Sequence, residues 1–321
     1  MKKVLFLLIA LLWAAPCFCW GFFGHRKINQ LSVFLLPPEM MVFFKKHISY
    51  LTEHAVDPDK RRYALPEEGQ RHYIDIDHYG NFPYTALPRN WDTAVAKFSE
   101  DTLRTYGIVP WWVQTMQFRL TKAFREKDAK RILKLAAEIG HYIADAHVPL
   151  HACSNHNGQF TNQRGIHGFW ESRIPELLAE SSFRFWMPKA EYISNPGNWI
   201  WERVLESAAA ADTVLTFEKK LAEQFPPDKK YAFEARNGVI TRSYSSAYTI
   251  AYHNKLNGMV ERRMRQSIHT TASFWYTAWV DAGQPNLSKL LETSIDSADI
   301  KEMELLNDAW KKGKAFGKIC D

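Results

Sequence analysis

Residues 141–171 read HYIADAHVPLHACSNHNGQFTNQRGIHGFWE and contain two pairs of metal-binding residue types at helical spacing. In chain order, the donors are His141, Asp145, His151, His167 and Glu171. The first two and the last two are each four residues apart, and residues four apart in a helix share one face, so each pair can bind one ion. Imidazole and carboxylate donors without paired thiolates favour zinc over calcium or magnesium, which prefer oxygen ligands. The stretch therefore predicts a metal site that holds more than one ion.

Helical periodicity surrounds this stretch and extends through most of the chain. In the helix predicted over residues 128–148, the apolar residues follow the spacing of one helix face: Ile132, Leu135, Ala136, Ile139, Ile143 and Ala146. His141 points away from that face, and Pro149 ends the helix because the residue before a proline is disfavoured in the α region. The other predicted helices cover residues 36–56, 92–106, 110–127, 199–224, two stretches of 231–281 separated at Gly258, and 298–313. Convincing alternating strand patterns are absent. We therefore expect one all-α domain, a multi-helix bundle-like fold with the metal site in a cleft.

The first nineteen residues have the composition of an export signal. Lys2 and Lys3 precede an apolar run over residues 4–15, and Cys17 and Cys19 occupy the small-residue positions before a cut ahead of Trp20. The run is short for a membrane span. We expect a signal peptide over 1–19, a mature domain over 20–321 without a transmembrane segment, and a secreted or periplasmic location. A lipoprotein signal is the weaker alternative.

Composition bounds the remaining possibilities. The chain has 321 residues, 46% of them hydrophobic, which is enough for a large core. The formal net charge of +6 loses two units with the signal peptide, and this modest basic excess suits phosphate-bearing substrates or anionic lipid without deciding between them. Two cysteines remain in the mature chain, Cys153 and Cys320, and in an exported protein they either form one disulfide or stay as thiols.

Further donor residues upstream make the pattern specific. They are Asp57, Asp59, His72, and the Trp20 and His25 of the expected mature start. An N-terminal tryptophan, an early histidine, an aspartate and a histidine, followed by His-x-x-x-Asp-x5-His and His-x-x-x-Glu, resemble the three-zinc phosphodiesterase superfamily. That superfamily joins the bacterial zinc-dependent phospholipases C with the single-strand-specific zinc nucleases of fungi and plants. The motifs that carry the resemblance run from Trp20 to Glu171.

The resemblance implies three zinc ions per chain and a ligand set for each. The first zinc would be bound by Asp57, His72, His141 and Asp145. The second would be bound by His151, His167 and Glu171. The third would be bound by the amino nitrogen and carbonyl oxygen of Trp20, by His25 and by the other oxygen of Asp145. Asp57 is preferred over Asp59 because its fifteen-residue offset to His72 resembles the nucleases, and Asp59 stays open as the alternative.

The resemblance also implies the chemistry, in which water activated by zinc attacks phosphorus. Asp57 and Asp145 would act through the ions. Just after Asp57, the side chain of Lys60, Arg61 or Arg62 could neutralise phosphate charge, with a solvated basic turn as the alternative. Tyr73 and Asp75 occupy positions where the nucleases bind a base, so both are candidate substrate contacts.

The motifs favour a phospholipase C-type hydrolase that acts on phospholipids with peripheral membrane contact. The alternative is a single-strand-specific endonuclease and 3'-nucleotidase that acts on DNA and RNA. A non-enzymatic binding module stapled by zinc is the lesser alternative, because structural zinc sites are usually closed shells of cysteine and histidine. The sequence leaves the oligomeric state open.

Overall fold

Helices form most of the protein, which the computed structural model describes over residues 21–236, 239–292, 297–313 and 315–316. The helices are α1 (Phe22–Ser32), α2 (Pro38–Lys46), α3 (Ile48–Glu53), α4 (Asp57–Arg61), α5 (Trp91–Phe98), α6 (Glu100–Tyr106), α7 (Val109–Glu126), α8 (Ala129–Ala146), α9 (Ile166–Gly168), α10 (Ile174–Leu178), α11 (Pro196–Gln224), α12 (Ser246–Lys255), α13 (Met259–Asp281) and α14 (Ser297–Lys311). One antiparallel hairpin, β1 (Tyr231–Arg236) and β2 (Val239–Tyr244), interrupts them. The prediction of an all-α fold is confirmed, with this hairpin as an addition.

Helix α8 forms the centre of the fold. Asp128 caps its start by accepting a hydrogen bond from the Arg131 amide. Every residue from 136 to 146 is buried, and the helix packs against α1, α3, α7, α11 and α13. A helix that is buried on all sides requires small or apolar residues all round. The residues here that are neither small nor apolar are therefore conspicuous, and they include the predicted donors His141 and Asp145.

Two predicted helices are each broken into two. Residues 36–56 form α2 and α3 with a break at His47, and residues 92–106 form α5 and α6 with a break at Ser99. Ser99 has a φ of 69°, and its side chain accepts a hydrogen bond from the Thr102 amide, so it caps α6. Apolar periodicity continued across both breaks and hid them. The break predicted at Gly258 is confirmed, with a φ of 70° at the start of α13.

The hairpin contradicts the prediction that helices fill residues 231–281. Its register pairs Tyr231 with Tyr244 and Arg236 with Val239. The sequence signal for it was Asn237-Gly238, which favours a two-residue turn because both positions tolerate a positive φ. These two residues lie outside the described ranges. The turn dipeptide was a stronger signal than the helical periodicity inferred for this stretch.

The C-terminal helix α14 packs against α4 beside the N-terminal helix. The Trp310 ring lies 5.3 Å from the Phe22 ring, and the Phe316 amide donates to the Arg62 carbonyl oxygen. In the ranges given above, no helix combines the length and the hydropathy that a membrane crossing needs. The expected signal peptide, Trp20 and Cys320 lie outside the described residues, so export and the pairing of Cys153 stay predictions.

Candidate metal centre

Three groups of buried histidine and carboxylate side chains lie close together near the C-terminal end of α8. Within each group, the candidate ligand atoms lie within 4.8 Å of one another. The groups are His25, His141 and Asp145; Asp59, His72 and His141; and His151, His167 and Glu171. Seven of the nine predicted metal ligands therefore lie in the groups, and the two others are Asp57 and Trp20.

Asp145 connects the first two groups through its two oxygens. Its Oδ1 lies 3.5 Å from His25 Nε2, whereas its Oδ2 lies 3.0 Å from His72 Nδ1 and 3.3 Å from His141 Nε2. The histidines come from α1, from the residue after the 3-10 turn Gly69–Arg71, and from α8. One fully buried carboxylate thus faces two sets of imidazoles, which is the arrangement that a ligand bridging two cations requires.

Asp59, the alternative that the sequence left open, lies in the second group, whereas Asp57 lies in none of the three. Asp59 Oδ1 lies 3.7 Å from His141 Nε2 and 3.8 Å from His72 Nδ1. Asp57 instead contacts His54, whose Nδ1 lies 2.5 Å from Asp57 Oδ2. Residues 57–61 form the short helix α4, in which side chains two positions apart point about 200° from one another. Only one of the two aspartates can therefore face the group.

The third group depends on an unusual helical turn. His167 lies in α9, and Glu171 lies in a π-helical turn, Phe169–Arg173, that continues into α10. His167 Nε2 lies 3.1 Å from Glu171 Oε1, and His151 Nε2 lies 3.4 Å from Glu171 Oε2. Single π-helical turns are rare and concentrate at functional sites. The turn sets where Glu171 points relative to the residues on either side of it.

The backbone assigns the tautomer of three of the histidines. His141 Nδ1 lies 2.8 Å from the Ala55 carbonyl oxygen, His151 Nδ1 lies 2.6 Å from that of His72, and His167 Nδ1 lies 3.0 Å from that of His156. A carbonyl oxygen only accepts, so each Nδ1 carries the proton in the neutral ring and each Nε2 presents a lone pair to its group. Metal-binding histidines are characteristically held in this way.

The groups contain acceptors that face other acceptors. His151 Nε2 lies 3.1 Å from His167 Nε2, although both present lone pairs. Within the described part of the chain, the Nε2 of His25, both oxygens of Asp59 and both oxygens of Glu171 have no hydrogen-bond partner despite their burial. Buried acceptors without donors are costly, and a cation among them removes the cost. This donor set therefore fits zinc.

Glu68 is a positioning residue that the sequence analysis missed. It is fully buried, and its Oε1 lies 3.6 Å from His72 Nε2 and accepts the hydroxyl of Tyr142. Its Oε2 accepts from Arg71 at 2.5 Å. A carboxylate on the outer nitrogen directs the inner nitrogen of His72 towards Asp145. The signal in the sequence was a glutamate four residues before a histidine, and sequence reasoning did not weigh it.

Neighbouring side chains keep Asp145 and Glu68 ionised at neutral pH, whereas burial raises the pKa of Asp59. Burial opposes ionisation of Asp145, but His141 and His151 outweigh it and hold its pKa well below the usual range. Burial likewise opposes ionisation of Glu68, but the hydrogen bond and charge of His72, with Arg61, lower its pKa to about 2. Burial lowers the pKa of His25 well below its usual value, and neighbouring His141 lowers it further. Burial opposes protonation of His141, but Asp145 and Asp59 outweigh it and raise the pKa of His141 to about 9. Buried carboxylates and imidazoles this close together are suited to a divalent cation, whose binding requires the imidazoles to release their protons.

Lys60 lies outside the three groups. Its Nζ is 3.6 Å from Asp57 Oδ1 and 5.8 Å from the centre of the Phe22 ring. Burial lowers the pKa of the Lys60 ammonium, and Asp57 opposes that effect. Asp57 and Lys60 thus pair with each other outside the three groups of donors, and their action at the reacting centre stays a prediction.

The two candidate substrate contacts lie in the segment that leads away from His72. Tyr73 packs over Gly107, whose φ of 91° lets the backbone approach the ring, and its hydroxyl donates to the Thr105 carbonyl oxygen at 3.2 Å. Asp75 is buried, and its amide donates to the Tyr106 carbonyl oxygen at 2.7 Å. Their roles towards a substrate stay predictions.

Comparison with protein families assigns the chain to the phospholipase C branch of the superfamily that its sequence resembles. The family model described as zinc dependent phospholipase C matches residues 24–221. The match covers more than half of the chain and includes every grouped donor from His25 to Glu171. No curated protein matched the chain. The chain belongs to the zinc-dependent phospholipase C family and is a zinc-dependent hydrolase of phosphoric esters.

Proposed function

We propose that the protein is an exported phospholipase C that binds three zinc ions and cleaves phospholipids between the glycerol oxygen and phosphorus. The observation that carries the proposal is the set of three buried donor groups inside the matched range, the first two of which are joined through His141 and the two oxygens of Asp145. One zinc would be held by Asp59, His72, His141 and Asp145, a second by His151, His167 and Glu171, and a third by His25 and Asp145 with the chain terminus.

The protein's own groups prepare this centre before substrate arrives. Carbonyl oxygens fix the outer nitrogens of His141, His151 and His167, so their lone pairs need no reorientation. Glu68 does the same for His72. When bound, zinc supplies an acidified water and positive charge for the phosphoryl oxygens. No side-chain nucleophile is then required, and the described residues serve to hold charge and orientation.

The third zinc requires a free amino group at Trp20. The amide of Gly21 donates to Ser172 Oγ at 3.1 Å, and Ser172 directly follows Glu171. The peptide that enters α1 therefore runs beside the π-helical turn, and His25 follows in the next turn of the chain. Cleavage after Cys19 would place the new amine one residue before Gly21. These contacts support Trp20 as the remaining ligand of the group that contains His25 and Asp145.

Phospholipid is the preferred substrate because the matching family is defined by phospholipase C. The single-strand nuclease alternative depends on Tyr73 and Asp75. Tyr73 packs on Gly107 and donates its hydroxyl to the backbone, contacts that give it a structural reason to be aromatic.

The test compares two substrates and one substitution. Purified mature protein is assayed for bound zinc and for hydrolysis of short-chain phosphatidylcholine and of single-stranded DNA. We expect about three zincs per chain, faster hydrolysis of the lipid, and little selective effect of Tyr73→Ala. Faster cleavage of DNA, with a loss of ten-fold or more on Tyr73→Ala (about 1.4 kcal/mol, within the range for one stacked base), would establish the nuclease instead. Zinc content of one or none after zinc-replete purification would refute the trinuclear centre.

A further inference from the structure

The β1–β2 hairpin carries apolar side chains on its water-facing side. Phe233 is 77% exposed and Ile240 is 72% exposed. The register pairs Phe233 with Arg242 and Ala235 with Ile240, so all four lie on one face. The opposite face carries the pairs Ala232–Ser243, Glu234–Thr241 and Arg236–Val239, and in the first two of these pairs all four residues are partly buried, three of them polar. A hairpin exposed to water normally has the reverse pattern, with apolar side chains inward and polar ones outward.

Aromatic and cationic side chains surround the base of the hairpin. The Arg242 guanidinium lies 3.7 Å from the centre of the Tyr231 ring, and Lys230 Nζ lies 5.0 Å from that of Tyr248. Residues 228–244 contain four cationic and two acidic side chains; Glu234 is paired with Arg173 at 2.5 Å, and Lys230 is paired with Glu218 at 2.8 Å. An apolar tip above tyrosines and long cationic side chains matches the polarity profile of a lipid headgroup layer. The positive balance favours anionic lipid.

The base of the hairpin is fixed to the segment that carries Glu171. The Tyr244 ring stacks on Phe169 with centres 3.8 Å apart. Arg173 Nε donates to the Tyr244 carbonyl oxygen at 3.1 Å. Phe169 and Arg173 are the first and last residues of the π-helical turn that contains Glu171. Whatever the outer face of the hairpin contacts is therefore held next to the metal centre.

We propose that the β1–β2 hairpin inserts Phe233 and Ile240 into the headgroup layer of an anionic phospholipid bilayer and so holds the metal centre at the membrane surface. The inference rests on the proposed phospholipase function for its purpose, but the binding itself does not require catalysis. The reversed polarity of the two faces and the basic balance select an anionic lipid surface over a protein partner of unknown chemistry.

The binding test uses the mature chain with the double substitution Phe233→Ser, Ile240→Ser. The matched control is Phe118→Ser, which removes an aromatic side chain that is 67% exposed on α7, away from the hairpin. Co-sedimentation is measured with vesicles of phosphatidylcholine and phosphatidylglycerol in equal parts. We expect the double variant to bind about ten-fold or more weakly, because two large apolar side chains no longer leave water. The control should bind like the wild type, and wild-type binding should weaken as salt concentration rises.

Activity separates failure of the hairpin from failure of the proposed function. All three proteins should hydrolyse monomeric short-chain phosphatidylcholine equally, whereas the double variant should be slower on vesicles. If the wild type hydrolyses no soluble lipid, the proposed function fails, and vesicle binding still tests the hairpin. Equal vesicle binding by the wild type and the double variant, or no binding by the wild type, overturns the inference. A wild-type oligomer in size-exclusion chromatography that the double variant loses, without vesicle binding, would assign this face to a second copy of the chain.

Discussion

Replacing Gly140 by alanine should destabilise the protein, although alanine is the better helix former. Gly140 lies in α8 next to His141 and faces Asn29 of α1 and Thr271 of α13. A Cβ at this position would lie 2.0 Å from Asn29 Oδ1 and 3.1 Å from Thr271 Cγ2. Asn29 is fully buried, and its Nδ2 donates to the Leu51 carbonyl oxygen at 3.1 Å and to that of Ala137 at 2.9 Å. The asparagine cannot move away without losing hydrogen bonds that hold α3 and α8.

The sizes of three effects decide whether Gly140→Ala stabilises or destabilises the protein. Alanine gains about 1 kcal/mol over glycine in a helix interior. Overpacking of a buried contact costs about 1–3 kcal/mol. Loss of one of the Asn29 hydrogen bonds leaves a buried polar group unpaired and costs about 1–3 kcal/mol more. The free energy of unfolding should therefore fall by about 1–5 kcal/mol, the difference between these estimates. The steric and hydrogen-bond costs outweigh the gain in helix propensity.

The assay is urea unfolding at one fixed free zinc concentration, because ligand binding to the folded state adds to the measured stability. The matched control is Gly168→Ala, because Gly168 is also a helical glycine next to a histidine of the metal centre, His167. Its added Cβ meets no heavy atom within 4 Å in the described part of the chain. The control should be neutral or more stable by up to about 1 kcal/mol. If the Gly140→Ala protein is as stable as the wild type, the contact between the added Cβ and Asn29 does not destabilise the fold, and the prediction is refuted.

Three further predictions concern the metal centre. Asp59→Asn should release at least one zinc and lower activity, whereas Asp57→Asn should keep the full zinc content; equal losses in metal analysis would restore Asp57 as a ligand. Glu68→Gln removes a carboxylate whose pKa is lowered from 4.5 to about 2, so the stability that it contributes is complete above pH 4.5 and is lost as the pH falls towards 2. The difference in urea unfolding between wild type and this variant should thus be largest near neutral pH and shrink below pH 4.5, and a difference that grows under acid would contradict the account. A chain that keeps one extra residue before Trp20 should fold but lose one zinc and most activity, and full activity with a verified extension would exclude the terminal amine as a ligand.

The ligands that could be predicted from the sequence are those whose spacing is local. His141 with Asp145, and His167 with Glu171, each lie one helical turn apart, and helix geometry alone brings such pairs together. His25 and His72 could not be placed by any local rule, and only their order in the resemblance indicated them. The structure brings both within hydrogen-bond range of Asp145 or close to it.

The structure differs from the sequence predictions where local patterns were ambiguous. Asp57 and Asp59 both precede His72 at similar offsets, and only the direction of the short helix α4 separates them. Glu68 lies outside the three groups, and its contact with His72 depends on the turn between them, which the sequence pattern alone does not fix. The hairpin was hidden because apolar residues stand side by side at 231–233 and at 239–240, which blurs the alternation that marks a strand.

The position of the metal centre indicates that its residues do more than pack the interior. The last turn of α8 lies in the interior, where the other faces of the helix pack against apolar side chains, yet here it presents His141 and Asp145. The segments that meet these residues come from α1, α4 and the turn before His72, and they bring further acceptors, not donors. Acceptors that face only other acceptors form no hydrogen bonds, and burying several carboxylates among them costs desolvation free energy. The elements at this end of the fold therefore need a bound cation to hold them together, where an apolar core would otherwise do so. Zinc binding and the stability of this region should then be coupled.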